Sequence, residues 1–304
     1  MTFDEFIRSF STEEQCRDYL RRLRWPDGFV CKKCNGHEYW TVSSTLYECR
    51  KCRHQSSVIA GTIFQDTRTS LRTWFIAIWW ITTQKSGASA EGLKQVLGLK
   101  SDETAWVWLH KIRKAMVRSD RTKLSGVVEM DDFYIGGEEH DGSTGRGTGN
   151  KTTVIVALEL KPSNKLGRVR LSVIPAVTKE AIEKFTKENV EQGTEIITDG
   201  FSSYSFLSTV GYGHKVYIQK TAKTEDEKLP HVHLIISLVK RWVLGTHQGA
   251  VSEKHMQAYL DEYTFRFNRR KAAKRGLLFY RLLEGAVSVG PVTTKELYNL
   301  TNDF

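Results

Sequence analysis

The sequence predicts a mixed α/β chain, in which a cysteine-bearing β ribbon and a helical block precede a domain of strands followed by helices. Three observations predict it. Four of the five cysteines fall into two tight pairs between residues 31 and 52. Residues 66–122 carry apolar side chains at helical spacing, interrupted at Gly87 and Gly98. From residue 126 the pattern changes to short β-rich runs, and helical spacing returns after Pro230.

Each element follows from local chemistry. Phe6, Phe10, Tyr19, Leu20 and Leu23 recur at helical spacing within 3–24, Ser11 with Glu14 reads as a capping box, and Trp25-Pro26-Asp27-Gly28 stops the helix. Residues 1–28 are thus an N-terminal helical segment and 29–60 a ribbon whose hairpin runs through Tyr39 to Val42 and Thr45 to Glu48. Helices are predicted over 70–84, 88–97 and 101–118, with Ser101 and Thr104 as a cap region. Strands are predicted over 127–135, 153–160, 167–176, 195–198 and 214–219, with a helix from Thr178 to Val190 after the third. Gly136 to Lys151 reads as a long surface loop. Helices close the chain at 231–243, 252–268 and 277–285, which places a second large domain over 126–285 and a tail over 286–304.

Composition narrows the function. The chain has 304 residues, is 40% hydrophobic and carries a formal charge of +10, with a pI near 9.3. It is globular, and the charge favours a polyanionic partner. Residues 1–125 hold 21 basic and 13 acidic side chains, against 24 and 22 in 126–304, so the front of the chain is the more cationic part. Its first residues lack a basic and apolar leader pattern, and its longest apolar run, Trp74 to Ile81, is too short to span a bilayer. A soluble, cytoplasmic protein with no membrane partner is expected.

Cys31, Cys34, Cys49 and Cys52 form C-x2-C-x14-C-x2-C. Four thiolates on two tight turns complete a closed tetrahedral Zn²⁺ site, which is structural because no coordination position stays open. Two disulfides or four separate thiols are the rival readings. Cys16 lies outside the pattern, as a small buried hydrophobe. The helix, turn and helix around Gly98 to Lys100 suggest a helix-turn-helix, with Arg113 and Lys114 among the basic residues available to backbone phosphates. An ordinary helical hairpin is the alternative, and Asp102-Glu103 weigh against base reading there.

Two β-rich runs end in carboxylates, Val127-Val128-Glu129-Met130-Asp131 and Glu195-Ile196-Ile197-Thr198-Asp199. Strand alternation puts Glu129 and Asp131 on one face and Asp132 on the other. Strand-end carboxylates are hard oxygen ligands suited to Mg²⁺, and two side by side can serve a two-metal phosphoryl-transfer site. His233 follows Asp199 by thirty-four residues and Lys240 lies seven further on. Seven residues at about 100° each make nearly two full turns, so His233 and Lys240 share one helical face.

These segments, together with Asp132 to Gly137, Gly200 to Tyr204, Leu229 to His233, Leu238 to Trp242, Gly245 to His247 and the run from Tyr259 to Arg270, resemble the ISXO-like insertion-sequence transposases. The resemblance implies an RNase H-like catalytic domain behind a zinc ribbon and a helix-turn-helix-like DNA-binding region, and a DDE-type enzyme that cuts and joins DNA strands. It implies that Asp131, Asp199 and His233 hold catalytic Mg²⁺ or Mn²⁺, with Lys240 on a phosphate near the scissile bond. His233 stands where many relatives have Glu, and His231 or Asp226 is the alternative third ligand. Leu238 stands where relatives carry Asn. Arg241, Arg266, Asn268, Arg269 and Arg270 are candidates for DNA contact beside Arg113 and Lys114; a charged helix end is the alternative for those near 268. The partners implied are double-stranded DNA, as inverted-repeat ends and target, and a homodimer or higher assembly. A silent zinc-ribbon regulator and a structure-directed nuclease are the competing functions.

Overall fold

The computed structural model describes residues 2–118, 121–136, 151–217, 229–247, 251–272 and 276–298. In chain order these form α1 Phe3–Ser9, α2 Glu13–Arg24, β1 Tyr39–Thr41, β2 Leu46–Cys49, β3 Gln55–Ser57, α3 Leu71–Thr83, α4 Ala90–Leu97 and α5 Asp102–Ala115. There follow β4 Val127–Ile135, β5 Thr152–Lys161, β6 Lys165–Ile174, α6 Lys179–Asn189, β7 Glu195–Thr198, β8 Gly213–Val216, α7 Pro230–His247, α8 Glu253–Asn268, α9 Gly276–Ser288 and α10 Thr294–Tyr298. A 3-10 turn segment spans Ser202–Val210. Among the described residues no helix is long and apolar enough to cross a membrane. Most of the expected Gly136–Lys151 loop, Asp226, and residues 218–219 of the last expected strand lie outside the described residues.

The described residues divide into two compact units, the first drawn from 2–118 with 272–298 and the second from 121–271. The first is a helical cluster carrying the three-stranded antiparallel ribbon β1-β2-β3. Its core is aromatic. Phe10 meets Phe75 at 4.9 Å, Phe6 meets Phe279 at 5.6 Å, and Trp74 stacks on Trp108 at 3.8 Å. The capping box of α2 is Thr12 with Gln15, one residue later than the sequence suggested. Helix α9, expected to end the second domain, packs here against α2, α3 and α5. The reason is steric as well as apolar: a Cβ on Gly285 would lie 2.0 Å from the carbonyl oxygen of Ala115, so only glycine allows that crossing.

The second unit is a five-stranded sheet in the order β6-β5-β4-β7-β8. β4, β5 and β6 are consecutive antiparallel partners, while β7 runs parallel to β4 and β8 parallel to β7. Helix α6 covers one face through Ile182 and Phe185, which pack on Val128, Met130 and Ile155. Helices α7 and α8 cover the other through Val232, Ile235, Val239, Leu260 and Tyr263, against Phe133, Val156 and Leu171. This three-layer arrangement is RNase H-like. The β6 edge is closed by side-chain amides: Asn268 accepts from the Val169 N–H and donates to its carbonyl, and Gln257 does the same for Val173 and Leu171. Edge groups satisfied in this way cannot template another strand.

Candidate functional site

The ribbon brings four thiols to one point. The Sγ atoms of Cys31, Cys34, Cys49 and Cys52 all lie within 4.8 Å of one another. Cys31 and Cys52 are 3.6 Å apart and Cys34 and Cys49 3.5 Å. A disulfide needs about 2.05 Å, whereas a tetrahedral ion with Zn–S of about 2.3 Å sets sulfur–sulfur edges of roughly 3.8 Å. The donors therefore fit a closed S4 metal site. Cys16 is buried and apart from them, as expected.

The second constellation is built on the middle of the sheet. β4 and β7 run parallel with Val127 opposite Glu195 and Glu129 opposite Ile197. β7 ends at Thr198, so Asp199 is the first residue beyond the strand that lies beside β4, while Asp131 lies within β4. Asp131 Oδ1 accepts the N–H of Asp132, and Asp199 Oδ1 accepts the N–H of Phe201 in a tight turn. Each carboxylate thus has one oxygen held by the backbone just beyond it.

His233 arrives from the first turn of α7, and its Nε2 lies 3.2 Å from Asp131 Oδ2. The Asp131 hydrogen bond raises the imidazole above its ordinary value; burial opposes this, and the charges of Asp131, Glu129 and Asp199 add to it. Lys240 lies on the same side of the helix, exposed, with Nζ 5.7 Å from the centre of the Phe133 ring, two residues along β4 from Asp131. The ligand atoms of Asp131, Asp199 and His233 do not all lie within 4.8 Å of one another. They are not gathered as the thiols are, though two carboxylates and one imidazole are donor types that a divalent ion accepts. His231, the alternative third ligand, has its Nδ1 2.7 Å from Glu129 Oε1, which leaves Nε2 as its other ring nitrogen. Leu238 packs against the α7–sheet core.

Two residues that the sequence reading left without a role support this site. Glu129 is 3% exposed and bonds both His231 and the Val232 N–H. Tyr204 is fully buried and donates to Asp132 Oδ1 at 3.0 Å. Burial, then the charges of Asp132, Asp131 and Asp199, push its phenol well above the ordinary value. Period-two alternation already set Glu129 on the Asp131 face; nothing local pointed to Tyr204.

Several expected DNA contacts have partners within the protein, though Arg270 stays exposed. Arg113 is 1% exposed and donates to the Ala88 carbonyl, because it lies on the inner face of α5. Arg266 is locked to the buried Glu262 at 2.7 Å. Arg269 stacks on Phe265 and Arg270 on Phe267, and Arg270 also donates to the carbonyls of Leu166 and Gly167. Asn268 serves the β6 edge. Lys114, Lys240 and Arg241 remain exposed. On α5, Tyr298 of α10 donates to Glu103 and stacks on Trp106 at 5.3 Å, covering the start of the helix expected to read DNA.

Two family descriptions match the chain. Residues 123–268 match the ISXO2-like transposase domain, and residues 11–55 match the transposase zinc-ribbon domain. A relative described as an uncharacterized protein in transposable element ISH50 of Halobacterium salinarum is 26% identical over 277 residues, covering 86% of this chain and 92% of its own. Among solved structures, the catalytic core domain of BIV integrase is similar at a TM-score of 0.31 and 15% identity, covering 49% of this chain and 86% of that one.

Proposed function

We propose that this chain, similar over residues 123–268 to the ISXO2-like transposase domain and over 11–55 to the transposase zinc-ribbon domain, binds the inverted-repeat ends of an insertion sequence and catalyses DNA strand cleavage and strand transfer at Asp131, Asp199 and His233. The observation that supports this reading is His233 Nε2 lying 3.2 Å from Asp131 Oδ2, on a strand whose parallel neighbour β7 is followed directly by Asp199.

Divalent ions bound there supply Lewis-acid polarisation of the phosphodiester and a more acidic nucleophile, water first and a DNA 3′-hydroxyl in the joining step. Asp131, in the central strand of the sheet, Asp199 and His233 would hold these ions. Lys240 offers a point charge to the phosphate next to the scissile bond, and Arg241, one residue on and exposed, holds the neighbouring backbone. The closed S4 site takes zinc and gives the ribbon its fold. Paired ends call for two copies of the chain on DNA.

Incubation of the protein with its flanking inverted repeats, in Mg²⁺ and in Mn²⁺, tests the reading. Nicking and joining are expected, with Mn²⁺ the better ion because an imidazole ligand suits it. Asp131→Ala and Asp199→Ala abolish both steps and leave end binding in place, and His233→Glu shifts the preference toward Mg²⁺. Cutting without joining would make the protein a nuclease. Specific binding with no cutting would make it a silent regulator.

A further inference from the structure

Strand β4 and the first turn of α7 meet through two carboxylate–imidazole contacts in step. Glu129 and Asp131 are two residues apart on one strand face, and His231 and His233 are two residues apart at the start of the helix. His231 Nδ1 lies 2.7 Å from Glu129 Oε1, and His233 Nε2 lies 3.2 Å from Asp131 Oδ2. The pairs differ in burial. The Glu129 side chain is 4% exposed, whereas that of His233 is 49% exposed.

The helix start explains why the inner pair matters. Leu229 precedes α7 and has no polar side chain with which to cap it, and Pro230 has no N–H to offer. The first turn closes with the His233 N–H on the Leu229 carbonyl. The Val232 N–H has no carbonyl within its own helix to reach. It is taken by Glu129 Oε2 at 2.7 Å, from a different element. One buried carboxylate therefore caps the helix and anchors the residue on each side of that turn. His233 is the very next residue after Val232.

We infer that Glu129 is a positioning residue, which fixes the first turn of α7 to β4 and thereby sets the distance of His233 from Asp131. His231 is the second anchor of the same carboxylate. Glu129 touches no substrate; it acts through His233. The inference rests on the proposed metal site for its consequence, though not for its geometry.

The test has two arms, both on full-length protein with its ribbon loaded with zinc. In the first, Mn²⁺ binding that disappears in Asp131→Ala is titrated by electron paramagnetic resonance. Residues that orient a metal ligand typically change affinity about 10–100-fold when removed, and that loss is expected for Glu129→Ala. In a His233→Ala background the same substitution should change affinity by no more than about two- to three-fold, because the group it positions is gone. A cap that only stabilises the fold would lower the melting temperature equally in both backgrounds and leave Mn²⁺ affinity unchanged. Unchanged affinity in Glu129→Ala, or an undiminished loss in the His233→Ala background, overturns the inference.

The second arm needs no metal. Histidine ring nitrogens are labelled, and the His233 signal is identified by its loss in His233→Ala. Asp131→Asn displaces that signal by removing a charged partner. Glu129→Ala should displace it in the same sense, and Glu129→Gln, which keeps an oxygen for the Val232 N–H, by less. A His233 signal that ignores Glu129 overturns the inference. Should the wild type bind no Asp131-dependent Mn²⁺ while Glu129 still governs the His233 signal, the metal reading of the site falls and the positioning role stands. If Glu129→Ala fails to fold, Glu129→Gln carries both arms.

Discussion

The four thiols of the ribbon and the acids of the large sheet are both donor sets, built in opposite ways. The thiols come from two turns eighteen positions apart in the chain, and all four sulfurs gather within 4.8 Å. The acids and the histidine come from three elements spread over a hundred residues. There, Asp131 and His233 are in direct contact, and Asp199 follows the end of β7, the parallel neighbour of β4. A donor set complete by itself suits an ion that never leaves. One held apart by a rigid sheet leaves room for substrate oxygens. On the proposed reading, the ribbon depends on its ion for shape, while the sheet has its shape before any ion binds.

Chelation gives the largest contrast. Structural zinc contributes about 10–16 kcal/mol of apparent binding free energy to small domains of this kind. Residues 29–60 should lose their protection from hydrogen exchange when zinc is stripped, and Cys49→Ser should mimic this. Strands β4, β5 and β7 should keep theirs, since their core of Val128, Met130, Val154 and Ile196 is apolar and fully buried. Loss of protection in β4 under the same chelator would erase the distinction between the sites.

A second contrast lies between cations that hold the sheet domain and cations free to meet DNA. Arg266 is 14% exposed and paired to Glu262 at 1%. Removal of one partner of such a pair costs about 3–5 kcal/mol, because the other charge stays buried. Arg266→Ala should therefore lower the unfolding midpoint sharply in a denaturant titration while the folded fraction binds DNA as before. Arg241→Ala should do the reverse, with stability within about 0.5 kcal/mol and a salt dependence of binding flatter by about one unit. Equal DNA defects in the two variants would return Arg266 to the interface.

The sequence carried the ribbon almost whole, since thiolate spacing and turn chemistry are local. The strands and most helices of the sheet domain were also legible, because alternation and helical periodicity are short-range. β4 and β7 emerged as expected, at Val127–Ile135 and Glu195–Thr198. Long-range partnership was not legible. Arg113 and Arg266 read as exposed cations until their partners, Ala88 and Glu262, came into view. Helix α9 has an amphipathic pattern that fits either unit, and only the contact of Gly285 with Ala115 decides which. Glu129 had the right face but no visible partner, because Val232 lies over a hundred residues away.

Tyr204 gives the smallest and most selective effect. Its hydroxyl reaches Asp132 from the segment that follows Asp199, and so ties the end of β7 to β4 behind the two acids. The ring itself is packed among Val128, Met130 and Ile196. Tyr204→Phe keeps that packing and removes one buried donor to a carboxylate, worth about 1.5–3 kcal/mol. Thermal unfolding should show that modest loss. The sharper measurement compares cleavage rates at saturating metal. If the hydrogen bond only stabilises the fold, the folded Tyr204→Phe protein cuts at the wild-type rate and needs no more metal. If it also sets the spacing of Asp131 and Asp199, the metal concentration needed for half-maximal cutting rises while the ribbon's zinc stays bound. That outcome is expected, because an open site takes its geometry from the scaffold behind it, and a closed one from its own ligands.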